Sequence, residues 1–284
     1  GSTGPQTAEG GVVALDRANG SVRWKQAATE GPIVLAGDRI FTVGDDPDSL
    51  ESAAGHVVAL NASTGNRVWT SSVTADVADG TGVPLAAANG TLYVGNETTD
   101  SLTAIDAATG DVRWTRSVPD DTALDRATAT AGSVYLLSAD AADQRTASPT
   151  VRATAYDAST GDRQWARDLE SAFGDAPSSV TLPAISDGTL YVVTGDTYET
   201  GPDEGGAGGT DTAVTASTLH ALDADTGEPR WQFAVGGTLG APSVGNDTVY
   251  VAGSVDASAA AFALDAADGT ERWNYTTAEG SWQA

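Results

Sequence analysis

The chain of 284 residues has no cysteine, a single lysine at position 25 and two histidines. Disulfides therefore contribute nothing to stability, and cysteine pattern says nothing of the redox compartment. With Lys25 the sole lysine, 14 basic residues face 39 acidic ones and the formal net charge is −25. No basic stripe is present to neutralise phosphates, which argues against a nucleic-acid partner. His56 and His220 are the only side chains ordinarily poised for acid or base work at neutral pH. They belong to no His-x-x-x-His pair, and the chain has neither a Gly-x-Ser-x-Gly elbow nor a glycine-rich phosphate loop followed by lysine. Each stands just before a repeated strand, at different offsets, and both read as ordinary strand residues. No apolar run approaches the roughly 20 residues of a membrane span, and no signal-peptide pattern opens the chain.

The charge imbalance is itself informative. A strongly acidic surface repels itself across a Debye length of about 8 Å in ordinary buffer and about 3 Å at molar salt. Abundant Asp, Ala and Thr beside almost no Lys resembles the composition of proteins from salt-loving archaea, so a salt-adapted surface is expected.

Against these absences stands one motif, Ala-[Leu/Ile/Tyr]-[Asp/Asn]-x-x-x-Gly-x-x-x-Trp, present six times and holding six of the seven tryptophans. Its key residues are Asp16, Gly20 and Trp24, then Asn61, Gly65 and Trp69, then Asp106, Gly110 and Trp114. The later copies hold Asp157, Gly161 and Trp165, then Asp223, Gly227 and Trp231, then Asp265, Gly269 and Trp273. Successive tryptophans stand 45, 45, 51, 66 and 42 residues apart, the period of four-stranded propeller blades.

Each copy predicts a hairpin: a strand ending at the Asp or Asn, whose side chain accepts turn N–H groups, and a glycine supplying positive φ for the reversal. A second hairpin is expected between tryptophans, where Asn89-Gly90, Asp187-Gly188 and Asn246-Asp247 separate apolar runs ending in Tyr93-Val94, Tyr191-Val192 and Tyr250-Val251. Two hairpins make a four-stranded antiparallel blade. A lone four-stranded sheet cannot cover both faces, so blades must stack, with the indoles between them and the constant Ala and Gly leaving room for a neighbour's ring. Burying one tryptophan removes on the order of 200 Å² from water, roughly 5 kcal/mol before the entropy of ordering. The tryptophans are thus structural residues first.

The motif resembles the tryptophan-docking repeat of the PQQ-like β-propeller family, across essentially the whole of residues 1–284. The resemblance implies an all-β propeller domain. It implies no single function, since the family holds quinoprotein dehydrogenases, with pyrroloquinoline quinone and calcium on the axis, beside non-catalytic assembly scaffolds and sensor or cell-surface domains. An extracellular or cell-surface location follows from the same resemblance. Six motif hairpins stand beside five of the other type, so the chain is expected to begin and end within blades. It is then six-bladed, or part of a seven- or eight-bladed ring.

A quinoprotein needs carboxylate and amide ligands for calcium, a general base and cations for the quinone carboxylates. Arg23, Arg113, Arg230 and Arg272 each directly precede a motif tryptophan, which marks them as blade residues that strand alternation turns away from the indole. No family cofactor ligand maps onto a position here, and no catalytic residue is singled out. The expected role is a non-catalytic scaffold that binds a protein or cell-surface partner. A dehydrogenase using the quinone and calcium is the alternative, and the sensing domain of a longer receptor a third. Binding is expected on the face carrying the variable connections 45–55, 76–83, 120–130, 140–151, 169–179 and 195–217. The longest of these holds five carboxylates without Asp-x-Asp-x-Asp-Gly spacing and is expected to be a mobile, solvated loop. Asp223, Asp225 and Gly227 imitate the start of a calcium loop but belong to the repeat turn.

Overall fold

The computed structural model describes residues 11–27, 32–44, 55–75, 85–96, 99–118, 124, 126–140, 150–170, 177, 179–200, 212–255 and 258–277. Every regular element among them is a β-strand, and among these described residues no helix is long and apolar enough to cross a membrane.

The strands form six antiparallel sheets in chain order. The first pairs β1 (Gly11–Leu15) with β2 (Val22–Ala27). The second runs β3 (Val34–Ala36), β4 (Arg39–Gly44), β5 (Gly55–Asn61), β6 (Arg67–Ala75), and the third β7 (Leu85–Ala88), β8 (Thr91–Asn96), β9 (Ser101–Asp106), β10 (Val112–Ser117). The fourth contains β11 (Arg126–Ala129), β12 (Ser133–Asp140), β13 (Thr150–Asp157) and β14 (Arg163–Leu169). In the fifth, β15 (Ser179–Val180) and β16 (Ala184–Ser186) both pair with β17 (Thr189–Thr200), followed by β18 (Thr212–Asp223) and β19 (Pro229–Val235). In the sixth, β20 (Gly237–Leu239) and β21 (Ser243–Gly245) both pair with β22 (Thr248–Val255), followed by β23 (Ser258–Asp265) and β24 (Glu271–Thr276). The first strand of each of the last two sheets is interrupted beside Pro183 and Pro242, because proline has no N–H to give the ladder.

Both predicted hairpins are present. Asn89, Asp187, Asn246 and Asp247 adopt positive φ at the tight turns, and the six motif glycines have φ between 71° and 85°. In the third copy Asp106 Oδ1 accepts the N–H groups of Ala108 and Thr109 at 2.9 and 3.1 Å, while Gly110 N–H donates to the Asp106 carbonyl at 2.9 Å.

The chain divides into two compact units. One comprises Gly1–Asp120, Ala129–Val134 and Asp157–Asp162; the other comprises Asp121–Thr128, Tyr135–Tyr156 and Arg163–Ala284. In the first, Phe41, Val43, Val57, Ala59, Leu92, Val94 and Ile105 form a continuous core with almost no exposure. The second has two such cores, one around Tyr135, Val151, Leu190 and Leu222 and one around Tyr191, Leu219, Val249 and Leu264.

The 195–217 insertion differs from the loop expected of it. β17 and β18 stay paired residue for residue from Thr189↔Asp223 to Thr200↔Thr212, so its flanks belong to a hairpin whose two strands are 12 residues each. Alternation of Thr with other residues supports strand as readily as loop, a signal that the charge and glycine content concealed. The remaining variable connections lie mostly outside the described residues, as does the tip of this insertion.

Candidate functional site

The motif residues assemble into one joint, repeated five times. Trp24 Nε1 donates to the Ala62 carbonyl at 3.1 Å, Trp69 to Ala107 at 3.2 Å and Trp114 to Ala158 at 3.2 Å. In the second unit Trp165 donates to Ala224 at 3.0 Å and Trp231 to Ala266 at 3.1 Å. Each acceptor follows the Asp or Asn of the next copy. The ring then lies on that copy's glycine: a Cβ built on Gly65, Gly110, Gly161, Gly227 or Gly269 would stand 2.6 to 2.9 Å from the indole of Trp24, Trp69, Trp114, Trp165 or Trp231. An indole thus needs the bare backbone of its successor's turn, both for contact and for its hydrogen bond.

The constant alanine has a different task from the one expected of it. Ala104 pairs with both Trp114 and Tyr93 across the strands, so it spaces two rings of its own sheet and not a neighbour's. The rings meet over it at a centroid distance of 6.0 Å, tilted 43°. Tyr135–Trp165, Tyr191–Trp231, Tyr250–Trp273 and Phe41–Trp69 repeat the arrangement.

The arginines before the tryptophans are placed by a feature that alternation does not reveal. The register slips between Val112 and Trp114, leaving Arg113 as the extra residue of a bulge. Bulges re-aim side chains, and Arg113 turns back to Thr91 Oγ1 at 2.7 Å and Asp106 Oδ2 at 2.7 Å. Arg230 does the same with Thr189 and Asp223, and Arg272 with Thr248 and Asp265. The guanidinium, with help from turn N–H groups, holds the carboxyls of Asp106 and Asp223 down to about 2. Where the motif carries Asn61, the residue before the tryptophan is Val68; Asn61 Oδ1 accepts from Ser63 and Thr64, and Arg39, its partner across the strands, pairs with Asp38 at 2.9 Å. Asp157 has Gln164 in place of arginine; its carboxyl is held down chiefly by the Ser159 hydroxyl.

Both histidines are strand residues, as expected. His56 Nδ1 donates to the Ser71 carbonyl at 3.1 Å. His220 is buried, with Thr194 Oγ1 2.9 Å from Nε2 and Gln232 Nε2 3.2 Å from Nδ1. With the glutamine amide donating to Nδ1, the proton sits on Nε2 and is given to the threonine. Burial pushes its pKa down to about 4, so the imidazole is neutral at physiological pH.

Sequence reasoning overlooked a groove in the first unit, about 650 Å³, between the turns at Gly37–Arg39 and Asn89–Thr91 and over Asp106, Ala108 and Arg113. It lies at the short, uniform turns and not at the variable connections; only the pairing of sheets could reveal it. Among the described residues, no group of three or more His, Cys, Asp or Glu is arranged to hold a metal ion.

Repeating four-stranded sheets joined by docked indoles define a β-propeller. The model of the family described as outer membrane protein assembly factor BamB matches residues 6–76, 53–208 and 198–283, and the chain belongs to that family. No curated protein matches the sequence. A crystal structure of BamB from Moraxella catarrhalis is similar with a TM-score of 0.53 at 17% identity, covering 95% of this chain and 73% of that one. Quinohemoprotein alcohol dehydrogenase from Comamonas testosteroni is similar with a TM-score of 0.53 at 18% identity, over 89% of this chain and 44% of that one. A europium-containing methanol dehydrogenase gives 0.54 at 15% identity, over 95% of this chain and 66% of that one. This chain therefore spans less than half of the quinohemoprotein enzyme. At such identities the likeness is one of fold.

Proposed function

We propose that the protein is a non-catalytic propeller scaffold that holds a protein or cell-surface partner, acts outside the cell and is adapted to high salt. The observation that carries this reading is how the repeat spends its polar side chains. Arg113, Arg230 and Arg272 are each taken up by an aspartate and a threonine. His220 is held from both ring nitrogens. A cofactor's carboxylates would have to displace these partners before meeting any of these three arginines. The family's description as an assembly factor supports a protein as the partner.

The second reading, a dehydrogenase using pyrroloquinoline quinone and calcium, is favoured by the similarity to the quinohemoprotein alcohol dehydrogenase. The described residues fit that cofactor poorly: calcium needs six to eight oxygen ligands, and the carboxylates of the repeat turns are committed to arginines and turn N–H groups. Calorimetric titration of pyrroloquinoline quinone with calcium in molar potassium chloride decides between the two. No heat and no change in melting temperature is the expected result. Saturable one-to-one binding lost on chelation of calcium would overturn the scaffold reading.

A further inference from the structure

The second sheet breaks the arginine pattern of the others. Thr91 stands across the strands from Asp106, Thr189 from Asp223 and Thr248 from Asp265. In each pair the bulge arginine ties the hydroxyl to the carboxylate. In the second sheet all three members are exchanged together: Arg39 stands across from Asn61, and Val68 precedes the tryptophan. The cation has moved to the threonine's place, and the carboxylate that would have held it is gone. Arg39 makes one hydrogen bond among the described residues, from Nη1 to Asp38 Oδ2. That acceptor is on a side chain 76% exposed, whereas the arginine's own is 23% exposed. Its buried Nε has no partner among the described residues. A guanidinium carries five N–H donors, and leaving them unmet where water is largely excluded is unfavourable.

Arg39 lines the groove of about 650 Å³ at the turn ends of the second and third sheets, whose walls belong entirely to the first unit. Its volume is that of an ordinary ligand site. Ala36, Ala87 and Ala88 line it with methyl groups. From the third sheet Arg113 and Asp106 also face it, but they pair at 2.7 Å and leave no net charge there. We infer that this groove binds a glutamate-bearing segment of the partner protein, with the carboxylate on Arg39 and the glutamate methylenes against the alanine methyls. The assignment rests on the scaffold reading and names the chemistry of what the scaffold holds. The planar fork of a guanidinium matches a carboxylate and can hold both of its oxygens. Asp38 is the carboxylate with which the incoming one competes. The net charge of −25 opposes the approach of an acidic segment, but molar salt confines that opposition to about 3 Å, so the contact itself decides.

The test titrates acetyl-Ala-Glu-Ala-Ala-amide and its glutamine analogue into the isotope-labelled intact chain in molar potassium chloride. Nuclear magnetic resonance follows the backbone amides of Gly37 and Gly90 and the Nε–H of Arg39. Saturable shifts at all three are expected, with the glutamate peptide binding at least fivefold more tightly than the glutamine one. Arg39→Thr supplies the residue that three other sheets hold at this place, so the variant should stay folded and lose the preference for glutamate. Asp38→Asn removes the competing carboxylate and should tighten the glutamate peptide at least threefold, a gain that misfolding cannot produce. Equal affinity for the two peptides, no saturable shift, or a preference that survives Arg39→Thr would overturn the assignment. So would potassium acetate binding as tightly as the peptide, which would make the occupant a free carboxylate. Groove signals that move with protein concentration before any peptide is added would overturn it in favour of a second copy. None of these results touches the scaffold reading, which stands or falls on the quinone titration.

Discussion

A glycine in this repeat answers two separate demands, and the structure allows them to be weighed apart. Gly90 and Gly110 both have positive φ, 73° and 85°. Beyond that they differ: nothing among the described residues lies near a Cβ on Gly90, whereas one on Gly110 would stand 2.9 Å from the Trp69 ring. Gly90→Ala is expected to cost about 1 kcal/mol, the left-handed backbone alone. Gly110→Ala should cost roughly 2 to 4 kcal/mol, since the indole must also shift. Denaturant midpoints in molar salt measure both. Equal costs would mean that the ring contact is not what requires the glycine. The sequence made the two roles look alike, because a turn glycine and a docking glycine leave the same letter. Trp, Gly and Asp were legible as a set through their fixed offsets. What each touches was not, since the tryptophan's partner lies in the following copy, 38 residues on from Trp24 to Ala62 and 59 on from Trp165 to Ala224.

Among the elements, three strands are tied by one buried side chain. His220 on β18 reaches Thr194 on β17 and Gln232 on β19, and the hydroxyl of Thr194 lies 3.5 Å from the Thr218 carbonyl. Its folded pKa of about 4 lies below the ordinary histidine value because burial opposes the charged form. Between pH 6.5 and 4 the unfolded chain therefore takes up a proton that the folded chain refuses, and stability falls as pH drops through that window. The loss should approach on the order of 3 kcal/mol. His220→Gln should flatten the unfolding midpoint against pH between 4 and 6.5 in molar salt, and an unchanged slope would remove His220 as its source. Strand number and the two hairpins were readable because alternation and turn residues are local. The bulge that turns Arg113 onto Asp106 was not, because a one-residue slip leaves no mark in composition, and the groove beside Gly37 and Asn89 arises only when two sheets come together.

Over the whole molecule, 14 basic residues face 39 acidic ones, too few to give most of the acids a basic counterpart of their own. Their mutual repulsion opposes the folded state until salt screens it. Raising potassium chloride from 0.1 to 3 M should lift the melting temperature by roughly 10 °C, the shift that a few kcal/mol produces in a domain of this size. A melting temperature indifferent to salt would count against a salt-adapted surface. This expectation was available from composition before any strand was placed, whereas a ligand or partner was not, because the variable connections carry no recognisable ligand spacing.

Every docked tryptophan points forward along the chain, so each repeat is a link with a hook at one end and an eye at the other. Hook and eye come from the same motif, which makes links exchangeable. Were the second repeat lost in frame, Trp24 would meet the glycine at 110 and the carbonyl of Ala107, the same seat that Gly65 and Ala62 provide now. Gln26 would then face Asp111 in place of Asn66, an amide against a carboxylate that it can hydrogen-bond. A gene built this way can gain or shed units by recombination without inventing a new joint.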